Sequence, residues 1–328
     1  MKRILLTGGA GFIGHALVDY LLAYTDHEIV LLDRLDSAGN LNRLHEIDIQ
    51  GEKRARFVFH DLRASINDQL AKQLGEFDYI LHLAAGTHVD RSIHYPMEFV
   101  QDNVVATCNL LEYARQAGCE KFIQFSTDEV FGPAAPGVKF KEDDPFNCSN
   151  PYSATKAGAE VLALAYWKTY KVPVLVTHTM NVIGIRQHPE KFIPNTIAKL
   201  RAGREIIIHC GTDGKPGSRY YIDAHDVSRG VMVLLEAGNV GEKYNIVGQR
   251  EFSNLEVAEI IAQEMNVEMK YQLVEGARPG NRPGHDIRYA LDGTKMEQMF
   301  NFQSQVHIQA AIRAITRWSL EHPQWLLS

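Results

Sequence analysis

Six short apolar runs punctuate the first half of the chain, at Arg3–Thr7, Glu28–Asp33, Arg56–His60, Tyr79–Ala84, Lys121–Ser126 and Val174–Thr179. They are apolar almost without interruption rather than at alternate positions, the pattern of strands buried on both faces. Between most of them lie stretches with apolar residues at helical spacing, such as Ala16–Leu22 and Phe99–Ala117. Strands separated by helices predict an α/β fold, a doubly wound parallel sheet with helices on both faces. After about Asn181 the pattern loosens. Gly, Pro and charged residues interrupt the runs at "GTDGKPGSR" and "GARPGNRPGH", with helical stretches around Leu255–Met265 and Ile308–Leu320. This predicts a main domain over residues 1–180 and a smaller C-terminal α/β domain over 181–328 that closes over it, with some later segments returning to the first.

Length and composition narrow the class. A chain of 328 residues is long for one core, which favours a main domain with a smaller partner. Its 45% hydrophobic and 23% charged residues are ordinary for a globular protein. No run approaches the ~20 continuous apolar residues of a membrane span. The start "MKRILLTGG" leaves no room for a signal peptide ahead of its glycines, so a cytoplasmic location is expected. The four cysteines, Cys108, Cys119, Cys148 and Cys210, form no CxxC pair, which fits reduced thiols rather than a disulfide frame or a zinc site. The histidines show no HExxH spacing, so no metal is expected. A net charge of −6 argues against general nucleic-acid binding.

Two motifs carry chemistry. In "ILLTGGAGFIGHALVDYLL", Gly8, Gly11 and Gly14 stand in a strand-turn-helix context. Glycines there let the backbone approach a pyrophosphate, whose charge sits on the N–H groups of the helix start. Asp33 ends the second strand 19 residues after Gly14, near the spacing at which a carboxylate takes the adenosine ribose hydroxyls. That carboxylate repels a 2′-phosphate and favours NAD over NADP, whereas Arg34 beside it is suited to bind one. In "NPYSATKAGAEVLALAYW", Asn150 reads as an N-cap and Pro151 as the first helical residue, so Tyr152 and Lys156 share a face. An ammonium one turn from a phenol stabilises phenolate, and a phenol with its pKa lowered toward neutrality removes a proton from a sugar or alcohol hydroxyl. Tyr-x-x-x-Lys also arises by chance on solvated helices; its glycine and strand companions set this one apart.

At this point the chain resembles the extended short-chain dehydrogenase/reductase superfamily, which has a Rossmann-type fold, and within it the nucleotide-sugar 4,6-dehydratases of the dTDP-glucose 4,6-dehydratase type. The resemblance runs nearly the whole length, through "TGGAGFIG", "DRLDSAGN", "HLAAGTHVDRSI", "STDEVFG", "YSATK", "PEKFIPN" and "RPGHDIRYALD". Thr127-Asp128-Glu129 is the discriminating feature, because related epimerases and decarboxylases usually lack the adjacent acidic pair. The resemblance implies that Tyr152 takes the sugar C4 proton with Lys156 in support while NAD accepts the C4 hydride, and that Thr127 bonds near that hydroxyl. Glu129 then removes the C5 proton and Asp128 protonates the departing C6 hydroxyl. An acid and a base at one pH need pKa values driven apart by their surroundings.

For the cofactor, the resemblance implies contacts from Gly8, Gly11, Phe12, Ile13, Gly14, Asp33, Arg34, Leu35, Asp36, Asp61, Leu62, Leu83, Ala84 and Ala85, besides Tyr152 and Lys156. Asp61 is equally readable as a loop cap and Leu83–Ala85 as strand-end packing. For the substrate it implies Thr87, Thr127, Asn181, Lys191, Arg219, Asn245 and Arg282, each of which also reads as a surface charge, a loop amide or a loop hydroxyl. His285 and Asp286 read as loop stabilisers, and Lys199, Arg201 and Arg204 as partners of a helix dipole. Ser37 replaces a tyrosine, Gly86-Thr87 a Glu-Ser pair, Tyr220 an aspartate and Asp102 a threonine, which opens the nucleotide base and the sugar but leaves the chemistry untouched. Leu110, Leu111, Leu162, Leu164 and Trp167 lie on helices that such relatives pair into a four-helix homodimer, against which intrachain packing is the alternative. A 4-epimerase, a UDP-glucuronate decarboxylase and a cofactor-binding protein without chemistry are the rival functions.

Overall fold

Thirteen strands form among the described residues: β1 Arg3–Thr7, β2 Glu28–Asp33, β3 Ala55–Phe59, β4 Tyr79–His82, β5 Lys121–Thr127, β6 Val174–Thr179, β7 Asn181–Ile183, β8 Ile206–Cys210, β9 Ser218–Asp223, β10 Lys243–Ile246, β11 Glu251–Ser253, β12 Tyr271–Glu275 and β13 Arg288–Tyr289. The structure is a computed structural model that describes residues 1–36, 38–47, 49, 51–275 and 287–327. Seven strands make one sheet in the order β3-β2-β1-β4-β5-β6-β10, and every pairing in it is parallel. The chain winds outward from β1 in one direction and then from β4 in the other. The switch point between them opens a crevice at the C-terminal strand ends, where such sheets take their ligands.

Burial explains the rigidity of that platform. Ile4, Leu6, Leu31, Leu81 and Ile123 pack one face under the helices Phe12–Tyr24 and Ala224–Ala237. Leu5, Ile80, Phe122 and Val174 pack the other face under Ala106–Ala117 and Pro151–Tyr170. Each such side chain contributes roughly 1.5–3 kcal/mol when fully buried. The smaller half carries its own apolar core, centred on Ile197, Ile208, Val257 and Ile312. There β7, β9, β11 and β13 form a second sheet and β8 pairs with β12.

Two sequence expectations shift. The predicted strand Tyr79–Ala84 ends at His82, so Leu83–Ala85 form the loop at the strand's mouth. The predicted helix Phe99–Ala117 is three pieces end to end, Pro96–Phe99, a π-helical turn Val100–Val105 and Ala106–Ala117. Among the described residues no helix is long and apolar enough to cross a membrane.

Candidate active site

The glycine turn sits at the switch point. Gly8 has φ +74°, and a Cβ there would lie 2.8 Å from the Ala84 nitrogen, so the turn packs directly on the Leu83–Ala85 loop. A Cβ on Gly14 would fall 2.1 Å from the Gly8 carbonyl oxygen, so only glycine lets the helix start this close to the strand. The helix Phe12–Tyr24 begins at Gly11 with no side-chain cap and no acidic residue in its first turn, leaving an N-terminus suited to a diphosphate. Phe12 and Ile13 anchor that first turn in the core. From behind, the buried Arg43 guanidinium donates to the carbonyls of Ala10 (2.9 Å), Ala38 (2.7 Å) and Arg186 (3.0 Å). Burial lowers its pKa to about 10.

At the end of β2 the Asp33 carboxylate accepts from Ala10 N at 3.0 Å and Leu35 N at 2.8 Å. Leu35 adopts φ +57°, a left-handed conformation that costs roughly 1–2 kcal/mol and that this bond helps to hold. Arg34 is fully engaged: it donates to Asp102 at 2.6 and 2.7 Å and to Asp36 at 2.9 Å, with Asp61 3.6 Å away. The Asp61 carboxylate also takes the backbone and side chain of Arg63, and Leu62 is buried behind it. The residues at the turn and the β2 end therefore fit a dinucleotide with free ribose hydroxyls.

The acidic pair closes β5. Thr127 caps the short turn Asp128–Phe131, accepting from Glu129 N at 3.3 Å while donating to Asp128 Oδ1 at 3.0 Å. Asp128 Oδ2 is buried with no hydrogen-bond partner among the described residues. Burial, then the charge of Glu129, pushes the Asp128 carboxyl up to about 7. Burial also raises Glu129, but Asn150, Arg219, Lys191 and Tyr289 all pull it back toward the anion. Asn150 Nδ2 donates to Glu129 Oε2 at 3.4 Å, and the Tyr289 hydroxyl donates to the same oxygen at 3.3 Å. The same Asn150 caps the helix Pro151–Tyr170, accepting from Ser153 N at 2.8 Å.

That helix presents Tyr152 and Lys156, both buried, but their coupling differs from the sequence expectation. Lys156 Nζ donates to the Phe125 carbonyl at 2.6 Å, and burial lowers its pKa to about 8 against the pull of Glu160. The Tyr152 phenol is held above its ordinary value, by burial first and then by the charges of Glu129 and Asp128, with only the Thr127 hydroxyl opposing. The expected lowering toward neutrality is absent because the ammonium bonds the strand carbonyl and two carboxylates face the ring.

The predicted substrate residues divide. Lys191 Nζ reaches the Thr87 carbonyl at 3.5 Å and its charge acts on Glu129, so Thr87, Lys191 and Glu129 share one wall. The Arg219 guanidinium lies over the Tyr289 ring, 4.6 Å from its centroid, and its charge reaches both Asp128 and Glu129. Asn181 opens β7, just past the end of β6. Asn245 is a correction: it is wholly buried, and its side-chain amide bridges the carbonyls of Phe140 and Asp292 and meets His178 Nδ1 at 2.9 Å. It ties β10 to its neighbours instead of facing a ligand. Arg282, His285, Asp286 and Ser37 lie outside the described residues.

Several site residues escaped the sequence reading. Tyr289 gave no local signal, arriving from 160 positions away. Asn103, on the π-helical turn, bridges Gly86 and Thr155 at 2.8 and 2.9 Å. Glu160, one turn beyond Lys156, accepts from Ser126 at 2.7 Å and meets His178 at 3.0 Å; its i+4 spacing was the available signal.

Comparison with known proteins agrees with this geometry. The profile of the GDP-mannose 4,6 dehydratase family matches residues 5–315. The chain is 36% identical to the probable dTDP-glucose 4,6-dehydratase of Sinorhizobium fredii, over 98% of this chain and 94% of that one. It is 42% identical to the low-salt glycan biosynthesis protein Agl12 of Haloferax volcanii, over 90% and 92%. The crystal structure of the dTDP-glucose 4,6-dehydratase of Streptomyces venezuelae, with NAD bound, superposes with a TM-score of 0.90 at 36% identity, covering 98% of both chains. With the acidic pair at the mouth of β5 and a glycine turn shaped for NAD, the chain belongs to the nucleotide-sugar 4,6-dehydratases of the extended short-chain dehydrogenase/reductase superfamily.

Proposed function

We propose that the protein dehydrates a nucleoside-diphosphate hexose, dTDP-glucose or UDP-glucose, to the 4-keto-6-deoxy sugar nucleotide. The observation that carries this reading is Asp128: a buried carboxyl raised to about 7, with one oxygen lacking a partner among the described residues, beside Glu129, whose burial-raised carboxyl is drawn back toward the anion by Asn150, Arg219, Lys191 and Tyr289. When bound, NAD supplies the hydride acceptor at C4 and the donor at C6. Tyr152 takes the C4 hydroxyl proton as phenolate, with Thr127 bonded beside it; protonation of Asp128 removes one of the two anions that oppose that state, and the positive charge of the oxidised nicotinamide, when bound, would offset the other. The resulting ketone acidifies C5, whose proton Glu129 removes as general base. Asp128 gives its proton to the C6 hydroxyl, which leaves as water, and Glu129 returns a proton to C5 once C6 is reduced. Thr87, Asn181, Lys191 and Arg219 hold the sugar nucleotide. Residues 1–180 carry the cofactor and the chemistry, residues 181–328 mainly the substrate.

The protein acts as a cytoplasmic homodimer through a four-helix interface. Leu110 and Leu111 are wholly buried within the chain and take no part in it. The supporting surface is instead Ala154, Gly158, Val161 and Ala165 on the Tyr152 helix, a small apolar stripe at helical spacing in which Val161 is 54% exposed.

The test is mass spectrometry of the purified protein incubated with dTDP-, UDP-, GDP- and CDP-glucose and GDP-mannose, without added reductant. Loss of one water from one substrate is expected; unchanged mass with inversion at C4 overturns the reading in favour of an epimerase. Glu129→Gln is expected to form reduced nicotinamide yet eliminate water about 10²–10⁴-fold more slowly, and full turnover by that variant removes Glu129 from the role of base.

A further inference from the structure

Arg34 occupies the position that decides between NAD and NADP in sites of this kind. It follows the β2 carboxylate that takes the adenosine ribose, where an arginine accommodates the 2′-phosphate of NADP. In this chain its guanidinium is already spoken for. Nη1 and Nη2 donate in parallel to the two oxygens of Asp102, at 2.6 and 2.7 Å. Nε donates to Asp36 at 2.9 Å, and Asp61 lies 3.6 Å from Nη1. Bidentate charge-assisted pairing of this type is the strong form of the interaction. The Asp102 side chain is only 10% exposed, so it is little screened by salt.

Asp102 comes from the π-helical turn, 68 residues from Arg34. Its Oδ2 would lie 3.3 Å from a Cβ on Gly86, and the Phe99 ring 3.2 Å. Gly86 and Asp102, two departures from the resemblance, are thus explained together: the missing side chain at 86 leaves room for the carboxylate that grips Arg34. Among the described residues Asp36, Asp61 and Asp102 gather around the Arg34 guanidinium, with Arg63 on Asp61, so carboxylates outnumber guanidiniums at this rim.

We propose that Asp102 is a specificity-determining residue that locks Arg34 away from a 2′-phosphate, so that the site takes NAD and rejects NADP. The inference rests on the NAD-binding reading of the glycine turn. Wild-type protein, Asp102→Ala, Asp102→Asn and the double variant Asp102→Ala/Arg34→Ala are equilibrated with mixtures of NAD and NADP. Bound nucleotide is then quantified by mass spectrometry after rapid desalting, with the thermal shift given by each nucleotide as a second readout. The NADP:NAD binding ratio rises about tenfold in the single variants, the scale of one charge-assisted contact, shrinks with added salt, and returns to the wild-type value in the double variant. An unchanged ratio in both single variants while NAD still binds overturns the proposal and leaves the NAD reading standing. A rise that persists without Arg34 also overturns it. Failure of the wild-type protein to bind NAD overturns both.

Discussion

Asp128 and Glu129 are neighbours in sequence; burial raises both, but their polar partners differ. Glu129 has an amide, a phenol, an ammonium and a guanidinium drawing it toward the anion, whereas Asp128 has the Thr127 hydroxyl and a more distant Arg219. The difference lies in side chains brought from residues 150, 191, 219 and 289, none of which the Thr-Asp-Glu motif contains. Because Asp128 is raised from 3.8 to about 7, the folded chain keeps a proton that the unfolded chain has released between those values. Its stabilising contribution is full below about pH 4 and is lost as pH rises through about 7. Turnover is therefore expected to fall above about pH 7, approaching tenfold per unit, measured as a pH–rate profile. Asp128→Asn is expected to raise Tm by ~4 °C at pH 8, with the gain vanishing toward pH 4; a gain that does not depend on pH sinks the assignment.

At the scale of elements, the helix Pro151–Tyr170 and the turn Asp128–Phe131 are joined by one side chain. Asn150 caps the first and bonds Glu129 on the second, so helix stability and the position of Glu129 are coupled. Asn150→Ala is expected to cost about 1 kcal/mol, read as a Tm drop of about 1.5 °C for a chain of this length, together with a loss of turnover. Asn150→Ser keeps a cap and loses the amide; it is expected to melt near wild type yet turn over about tenfold more slowly, and a wild-type rate would detach Asn150 from Glu129. The cap was legible in "NPYSATK"; its second duty was not, because it depends on where β5 ends relative to the helix. The same holds elsewhere. The bounds of β1, β2 and β6 follow directly from unbroken apolar runs, but the π-helical turn keeps a helical apolar pattern and leaves no trace in periodicity. Asn245 was misjudged because a buried amide and a ligand-facing one look alike until their partners, Phe140 and Asp292, are placed. The Lys156 contact was likewise illegible, because spacing along a helix brings the ammonium near Tyr152 but does not tell that it bonds the Phe125 carbonyl.

For the molecule as a whole, the proposed homodimer rests on the exposed stripe through Val161. Val161→Glu is expected to convert a dimer to a monomer in sedimentation at micromolar concentration, by placing charge in a closely packed helix contact; an unchanged sedimentation coefficient would move the interface elsewhere. The sheet itself has a further consequence. Its last strand, β10, comes from residues 243–246 and pairs with β6 at residues 176–179, although every motif that marks the cofactor and the chemistry lies before residue 160. During synthesis, β6 emerges long before its neighbour. Until some sixty residues more have been made, a strand built for burial on both faces stands as an open edge, the kind of surface that recruits other chains. The stretch proposed to hold the chemistry is thus not one that can be cut out whole: a fragment ending at residue 180 would keep Asp128, Glu129, Tyr152 and Lys156 and lose the strand that pairs with β6 beside them.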